Sequence, residues 1–376
     1  MKPDTDRVTR YGATRAQVDG SIAGLGEPAY RGAQLWDGLW KERRPLEEIT
    51  NLSKGLRERL GTALPLALDV VTVESADRGL TRKWLWQTNG TRPPAQVETV
   101  LMRYPDRATV CISSQAGCAM GCTFCATGQA GFERHLGSDE IVEQVVRAAH
   151  ESPQRVGNVV FMGMGEPLAN LDAVWEAIEQ LHGAFGLSAR HITVSTVGVV
   201  PGMRALAEKP LPVTLAVSLH APDDALRNEL VPLNHRYPIS DVLDAARNHA
   251  LARGRRVTFE YACIEAVNDH PHQARALAGR LHGFPGGAHV NLIPLNATGG
   301  FSGRPSRRER IVDFAETLRS TGVTVTVRKN RGTEIDAACG QLRARALETR
   351  GPVPTPEPTP EPAEPGGPDP SGRMEP

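Results

Sequence analysis

Three cysteines within eight residues are the most chemically suggestive group in the sequence. Cys118, Cys122 and Cys125 are separated by three and then two intervening residues. Thiolates with this spacing can surround one face of an iron–sulfur cluster, which is usually held by four cysteines. Three protein ligands would leave one iron atom open to another molecule. The alternative is a structural zinc site, which needs a fourth ligand such as His135 because such sites are closed and tetrahedral.

A glycine-rich segment further along the chain could hold that other molecule. It reads Gly163-Met-Gly165-Glu166-Pro and continues the strand-like run NVVFMG. Glycines allow a backbone to approach a ligand closely, and the Glu166 carboxylate can accept hydrogen bonds from an ammonium group. S-adenosylmethionine (SAM) has such an ammonium group and can chelate an open iron, after which one electron cleaves its sulfonium to give a 5′-deoxyadenosyl radical. The segment alone also fits an ordinary turn between a strand and a helix.

Strand and helix patterns that must position these residues alternate along most of the chain. Between about residues 108 and 345, β-branched runs such as HITVST alternate with amphipathic segments such as NLDAVWEAIEQLH. This pattern predicts an α/β fold with a parallel sheet, either a barrel or an open doubly wound sheet. The predicted parts are a helical accessory domain (1–65), a β extension that links it to the core (66–105), the α/β core (106–347) and a Pro- and Glu-rich disordered tail (348–376).

Composition and charge limit the class of protein. Of the 376 residues, 40% are hydrophobic and 23% are charged, as in globular proteins. The last 26 residues hold five acids and one base, so the zero net charge of the whole chain leaves +4 on residues 1–350, which permits an RNA partner without requiring one. The sequence lacks a transmembrane run and a secretory signal. We therefore expect a cytoplasmic protein without a membrane partner, whose six cysteines stay reduced.

Eight segments, in order between residues 26 and 345, match one known family. They are GEPAYRGAQLW, SSQAGCAMGCTFCATGQAGFERHL, VFMGMGEPLAN, ITVSTVGVVPGM, SLHAP, VPLNHRYPI, NLIPLN and EIDAACGQL. On these segments the sequence resembles the radical SAM superfamily and, within it, the RNA adenine methyltransferases of the RlmN and Cfr type. The resemblance implies a partial (β/α)6 barrel with an N-terminal accessory domain, a 4Fe–4S cluster on the three cysteines, SAM in two roles and an RNA substrate.

Methylation of adenine at C2 requires protein thiols in addition to the cluster. This carbon is electron-poor and cannot displace the methyl group of SAM directly. A workable route places the methyl on a thiolate, removes a hydrogen from it with the 5′-deoxyadenosyl radical, adds the carbon radical to the ring and releases the product when a second thiol attacks the first sulfur.

The resemblance gives these roles to particular residues. It implies that Cys339 carries the methyl group, that Cys111 is the second thiol and that Glu98 removes the ring proton. Without the resemblance, Cys111 would be an ordinary core cysteine and Glu98 a solvated carboxylate on a strand. Cys263 has no motif around it and is expected in the core. We hypothesise that the basic neighbourhood of Arg328, Lys329 and Arg331 favours ionisation of the Cys339 thiol.

Further binding residues follow from the same resemblance, although each could be an ordinary turn or core residue. The implied SAM contacts are Gly165, Glu166, Ser195, Ser218, Leu219, His220 and Asn296. Candidate phosphate contacts are Arg253, Arg255, Arg256, Arg304, Arg307, Arg308, Arg310, Arg328, Lys329 and Arg331. Four tryptophans could stack on bases, and helical spacing favours core packing for the first two: Trp36, Trp40, Trp84 and Trp86. One local departure from the family is Ala297, where relatives usually have proline.

The resemblance predicts methylation of C2 of an adenine in the peptidyl transferase centre of 23S ribosomal RNA, and of a transfer RNA adenine in some members. The expected partners are these RNAs and an electron donor such as flavodoxin or ferredoxin, and we expect a monomer. A target base must leave its stack to reach a buried cluster. Three alternatives stay open: methylation of C8 of the same adenine, activation of a glycyl-radical enzyme, and a zinc-stabilised RNA-binding module.

Overall fold

The alternation of strands and helices predicted from the sequence is present in the folded chain. A computed structural model describes residues 8–90, 92–296 and 298–328. Several predictions fall outside these ranges, namely those for Ala297, Lys329, Arg331, Cys339, the end of the α/β core (329–347) and the tail (348–376).

The strands are β1 (Leu68–Ala76), β2 (Thr81–Thr88), β3 (Gln96–Arg103), β4 (Ala108–Cys111), β5 (Gln115–Gly117), β6 (Phe132–His135), β7 (Val156–Phe161), β8 (Ile192–Thr196), β9 (Thr214–Ser218), β10 (Thr258–Cys263), β11 (His289–Pro294) and β12 (Thr324–Val327). The α-helices are α1 (Arg15–Gly24), α2 (Tyr30–Trp36), α3 (Lys54–Ala63), α4 (Ala126–Gln129), α5 (Ser138–His150), α6 (Leu171–Gly183), α7 (Val200–Glu208), α8 (Asp224–Leu230), α9 (Ile239–Arg253), α10 (Pro271–Leu281) and α11 (Arg308–Ser320). Single helical turns of other types lie at Asp37–Lys41, Leu46–Glu48, Asp77–Gly79, Pro167–Asn170, Ala189–His191 and Pro232–His235.

One ten-stranded sheet organises the molecule, with strand order β1-β2-β3-β4-β7-β8-β9-β10-β11-β12. Within this sheet β4, β7, β8, β9, β10, β11 and β12 pair in parallel, and a helix crosses over between each successive pair. Strands β5 and β6 form a separate antiparallel pair. This gives six β–α units followed by β12, so the predicted α/β class is confirmed. The carboxyl ends of parallel strands share one edge of a sheet, and that edge is where such folds build ligand sites.

The predicted β extension continues this sheet as three antiparallel strands. Its two faces differ because side chains alternate along a strand. One face, with Trp84 and Trp86, belongs to the main hydrophobic core and lies against α5. The other, which we call the inner face, carries Val100, Met102 and Cys111 in a separate small cluster. The extension therefore supplies a wall of the fold as well as a link.

The N-terminal helices share the main hydrophobic core with the α/β part. Helix α1 begins at a capping box in which Thr14 and Gln17 exchange hydrogen bonds. Since no separate core surrounds these helices within the described ranges, the boundary after residue 65 stays a prediction. No helix in the described part of the chain has the length and apolar character needed to cross a membrane.

The tryptophans divide between core and partial exposure. Trp40, Trp84 and Trp86 are buried, so these rings are not available for stacking on RNA bases. Trp84 and Trp86 stack on each other at 5.8 Å between ring centroids. The prediction of core packing is thus confirmed for Trp40, and the suggestion of base stacking is wrong for Trp84 and Trp86 in β2. Trp36 is half-buried.

Candidate functional site

The three clustered cysteines lie in the loop between β5 and α4, close to the carboxyl end of β4. Backbone hydrogen bonds shape this loop, from Cys118 N to the Gly131 carbonyl (2.8 Å) and from Cys125 N to the Cys122 carbonyl (3.1 Å). Gly117 has a φ of +73°, and a Cβ atom there would overlap the Gly131 carbonyl oxygen. Only glycine satisfies both conditions, so the residue before the first cysteine is fixed by the geometry of the loop.

Of the three thiols, Cys122 is buried, and Cys118 and Cys125 are half-buried. Cys122 packs with Leu230 and Val231, and Cys125 lies at the border of the same cluster. Burial raises the pKa of the Cys118 thiol to about 12. The pKa of Cys122 is also raised, first by burial and then by repulsion from the other two thiolates and Glu166. Thiols must lose their protons to bind a metal. A bound metal cation would offset the cost of burying the thiolates and the repulsion between them.

The alternative zinc site needs a fourth ligand beside the three cysteines, because such sites are closed and tetrahedral. His135, the proposed fourth zinc ligand, instead pairs through Nδ1 with Gln115 Nε2 at 3.0 Å.

Glu166 is a buried carboxylate beside the cysteine loop. Its Oε1 accepts a hydrogen bond from Leu168 N (3.0 Å) and its Oε2 accepts one from Val197 N (2.9 Å). Burial raises its pKa to about 7. After the larger effect of burial, repulsion from Glu166 contributes to the raised pKa of both the Cys118 and the Cys122 thiol. A ligand ammonium would complete its charge balance.

The glycines of this segment have a different structural reason from the expected one. A Cβ on Gly163 would lie 2.5 Å from the Ile112 carbonyl oxygen, and one on Gly165 would lie 2.5 Å from Gln115 Cβ. Gly165 also has a φ of +99°. These glycines therefore allow two segments of the chain to approach each other, and the contact of Gly165 with SAM stays a prediction. Gln115, which the sequence analysis missed, also accepts a hydrogen bond from Glu166 N (2.8 Å).

His220 is buried just beyond the end of β9, in a left-handed backbone conformation with a φ of +62°. Its Nδ1 accepts a hydrogen bond from Ala262 N at 3.0 Å, so the neutral ring carries its proton on Nε2. Burial, assisted by Arg227, lowers the pKa of His220 to about 3. Phe124 of the cysteine loop contacts this ring edge-on, with centroids 4.8 Å apart. His220 is thus a neutral side chain fixed against the loop.

Arg227 is a fully buried cation that the sequence analysis did not single out. Its guanidinium donates to the carbonyls of Val197 (2.6 Å) and Leu219 (3.0 Å) and to Asn234 Oδ1 (2.7 Å). It therefore ties together the segments that follow β8 and β9. Burial lowers its pKa to about 10, which leaves it charged at neutral pH. Its position between the matched segments SLHAP and VPLNHRYPI was the available signal, because a charged residue between two binding motifs is informative.

The remaining predicted SAM residues lie at the same edge of the sheet. Ser195 is in β8, Ser218 ends β9 and Asn296 follows β11, and all three are half-buried. Leu219 is buried. The structure brings these side chains to the edge that carries Glu166 and the cysteine loop, and their contact with SAM stays a prediction.

Glu98 and Cys111 lie on the inner face of the β extension and β4. Glu98 is buried and forms an ion pair with Lys83, with 2.9 Å between Nζ and Oε2. The interpretation as a solvated carboxylate is therefore wrong. Cys111 is buried opposite Val100 of β3. Cys263, at the end of β10, is buried in the main core as expected.

Three of the proposed phosphate contacts, Arg255, Arg307 and Arg310, have partners within the protein. Arg307 pairs with Glu265 (3.0 Å), and Arg310 contacts His270 (3.1 Å). Arg255 donates to Thr214 Oγ1 (2.7 Å). Several of these side chains line a cavity of about 900 Å³ at the carboxyl end of β10. Its lining includes Arg304, Arg307, Arg310, Glu265 and Asp269. Binding of RNA by these arginines stays a prediction.

Comparison with known proteins identifies relatives along nearly the whole chain. A sequence profile of the radical SAM superfamily matches residues 112–277. A probable dual-specificity RNA methyltransferase RlmN from Chloroflexus aurantiacus is 50% identical over 350 residues, covering 89% of this chain and 92% of that protein. A protein of the same name from Parafrankia is 52% identical over 343 residues, covering 85% and 87%. A radical SAM methyltransferase of known crystal structure, from Sphaerobacter thermophilus, is 45% identical with a TM-score of 0.82, covering 89% of this chain and 98% of that one.

Proposed function

The chain belongs to the RlmN family of radical SAM RNA methyltransferases, and from this premise we propose that it transfers a methyl group from SAM to C2 of an adenine in 23S ribosomal RNA. The observation that carries the proposal is the grouping of three thiols with Glu166 at the carboxyl edge of the parallel strands. The name shared by the relatives, dual-specificity RNA methyltransferase, supports an additional transfer RNA substrate.

Cys118, Cys122 and Cys125 are the proposed ligands of a 4Fe–4S cluster. They are free of disulfides and grouped in one loop. When held by these thiols, the cluster would supply the one-electron chemistry that turns SAM into a 5′-deoxyadenosyl radical. The apolar surroundings of the loop, including Phe124 and Val231, limit the access of solvent to the thiols.

Glu166 and its neighbours are the proposed SAM site. The Glu166 carboxylate, held by backbone N–H groups, would take the SAM ammonium, and the neutral His220 ring would offer its Nε2–H as a donor. The remaining contacts proposed for SAM are those of Gly165, Ser195, Ser218, Leu219 and Asn296. Their common location at one edge of the sheet supports this proposal.

Two further thiols and a carboxylate complete the proposed reaction. Cys339 carries the methyl group as a thioether, and Glu98 accepts the proton that leaves C2. The Cys111 thiolate then attacks the Cys339 sulfur, so that the bond from this sulfur to carbon breaks, the released carbon takes up a proton and a disulfide forms. A cellular dithiol must reduce this disulfide before the next turnover. The burial of Glu98 and Cys111 on one face of the sheet supports their part in this scheme.

The RNA product distinguishes the proposed reaction from its nearest alternative. We expect 2-methyladenosine in digests of 23S ribosomal RNA incubated with the reconstituted chain, SAM and a reductant, measured by mass spectrometry. 8-Methyladenosine would instead assign the chain to Cfr-type chemistry, which the RlmN names of the relatives do not favour.

The more remote alternatives are tested by colour and by the thiols. A zinc-stabilised RNA-binding module would be colourless, whereas an iron–sulfur protein purified without air is brown. A glycyl-radical activating enzyme has no use for Cys111 or Cys339, so full turnover of Cys339→Ala would favour that class. We further propose that the chain acts as a cytoplasmic monomer and receives electrons from a flavodoxin or ferredoxin.

A further inference from the structure

Lys83 is the most completely buried lysine in the described part of the chain, and its position calls for an explanation. Both it and Glu98 have side chains that are at most 1% exposed, with 2.9 Å between Nζ and Oε2. Lysine is rarely buried unless it is paired. A buried ion pair also contributes little net stability, because the two charges lose their hydration. A structural role alone therefore explains this pair poorly.

Strand register places the pair beside Cys111. Lys83 in β2 lies opposite Val100 in β3, and Val100 lies opposite Cys111 in β4. Cross-strand partners share one face of a sheet, and Glu98 is two residues before Val100. Lys83, Glu98 and Cys111 thus occupy the inner face together, within one row of neighbouring strands.

The surroundings of the pair determine what Lys83 does for Glu98. The inner face next to it is apolar, with Val100 and Met102 in one cluster with Cys111. A lone carboxyl group in such surroundings retains its proton, and a protonated carboxyl cannot accept another. The Lys83 ammonium lies 2.9 Å from Oε2, where it supplies the opposite charge and fixes the position of this oxygen.

We propose that Lys83 is a positioning residue for the methylation reaction, which holds Glu98 as an oriented carboxylate so that it can accept the proton from adenine C2. The inference rests on the proposed function, because it assumes that Glu98 meets an adenine. In the step itself the C–H bond at C2 breaks, its electron pair stays in the ring and the proton joins a Glu98 oxygen. The Lys83 ammonium keeps its charge throughout.

The test compares Lys83→Met with Lys83→Arg in the full chain. For Lys83→Met we expect a loss of RNA methylation on the order of 100-fold in kcat, with an unchanged KM for RNA and continued formation of 5′-deoxyadenosine. The covalent protein–RNA adduct should accumulate on denaturing gels, because its ring proton is not removed. Lys83→Arg keeps the charge and should recover most of the rate. Lys41→Met, in the exposed Lys41–Asp37 pair, is the control and should behave like the parent.

An infrared measurement tests the inference without turnover. The difference spectrum between the parent and Glu98→Gln should show a carboxylate band, and the same subtraction in the Lys83→Met background should show a protonated carboxyl band. A carboxylate band in both backgrounds would overturn the inference. So would a parental methylation rate in Lys83→Met.

Two further outcomes keep the interpretation clear. If Lys83→Met does not fold, the same measurements apply to Lys83→Gln, which keeps an N–H donor without the charge. A parental rate in that variant contradicts the proposal, and adduct accumulation supports it. If the parent chain itself forms no methyladenosine, the proposed function fails, whereas a parent and a Lys83→Met variant that are equally active refute only the role of Lys83.

Discussion

Two regions of the molecule bury a carboxylate, and they balance its charge in different ways. In the β extension, Glu98 has the Lys83 ammonium 2.9 Å away. At the carboxyl edge of the parallel strands, Glu166 accepts backbone N–H groups, and burial raises its pKa to about 7. A carboxylate with its own cation is prepared to act before any ligand arrives. A carboxylate held by neutral donors is completed when a cationic ligand binds.

The largest effect is expected when a thiol is removed from the cysteine loop at the carboxyl edge of the parallel strands. Cys122→Ala removes a buried thiol from the group of three, so iron bound after anaerobic reconstitution should fall from about four atoms per chain to nearly none. Cys263→Ala is the matched control, because Cys263 is also a buried thiol and lies in the main core. Iron analysis and visible absorption measure the result. Full iron content in Cys122→Ala would contradict the assigned ligand set.

The next largest effect tests whether the β extension depends on internal charge balance. Lys83→Met leaves Glu98 buried without its counter-ion, and removing one partner of a buried pair costs about 3–5 kcal/mol of unfolding free energy. The double variant Lys83→Met, Glu98→Leu removes both charges and should recover most of that loss. Urea denaturation of the apo chain gives both values. Equal destabilisation of the single and double variants would mean that packing, rather than charge, dominates here.

The contrast between the two regions also shows what the sequence could predict. The β-branched runs identified the strands, and three cysteines spaced by three and two residues identified the loop that holds them. Lys83 and Glu98 are 15 residues apart on different strands, and only the register of β2 against β3 brings them together. Side-chain alternation cannot supply that register without the turn between the strands.

The roles of glycine and arginine show the same limit at the carboxyl edge. Gly163 and Gly165 are predicted to let a ligand approach, and the structure shows that they also admit the chain segment 112–115. Arg227 was not singled out, although its guanidinium connects the ends of two strands. Sequence patterns identify which residues can react, and long-range packing decides which neighbours hold them. Local patterns contain little of that second kind of information.

A smaller effect is expected on the pH dependence of stability, which should distinguish Glu166 from Glu98. The pKa of Glu166 is raised from 4.5 to about 7 in the folded chain, so the folded state binds this proton more tightly than the unfolded state. The corresponding stability is complete below pH 4.5 and is lost as the pH rises through 7. The glutamine in Glu166→Gln cannot ionise. The unfolding free energy of this variant, relative to that of the parent, should therefore rise by up to about 3 kcal/mol between pH 5 and pH 8.

Urea denaturation of the apo chain at the two pH values measures this gain. Glu58→Gln, on the exposed side of α3, gives the background change of a surface carboxylate. A relative stability of Glu166→Gln that is the same at pH 5 and pH 8 would show that Glu166 ionises normally in the folded chain. The comparison between the two regions would then lose its basis.

The smallest effect concerns Ser113, which links the two regions. Its Oγ donates to the Glu98 carbonyl (2.7 Å) and accepts from Met164 N (3.0 Å) in the glycine-rich segment. Ser113→Ala leaves these buried backbone groups without this partner, at a cost of about 1–2 kcal/mol in unfolding free energy. The next residue provides a matched control, because the buried Ser114 Oγ has no hydrogen-bond partner among the described residues, and Ser114→Ala should be nearly neutral.

A double-mutant cycle then measures whether Ser113 transmits anything between the regions. If the network couples them, the changes in unfolding free energy caused by Ser113→Ala and by Glu166→Gln at pH 8 should differ from additivity by more than about 0.5 kcal/mol. Independent regions should give additive values, because Glu98 and Glu166 would then keep their charge balance separately. Additivity, combined with a clear loss from Ser113→Ala alone, would assign Ser113 a purely local role in holding β3, β4 and the glycine-rich segment together.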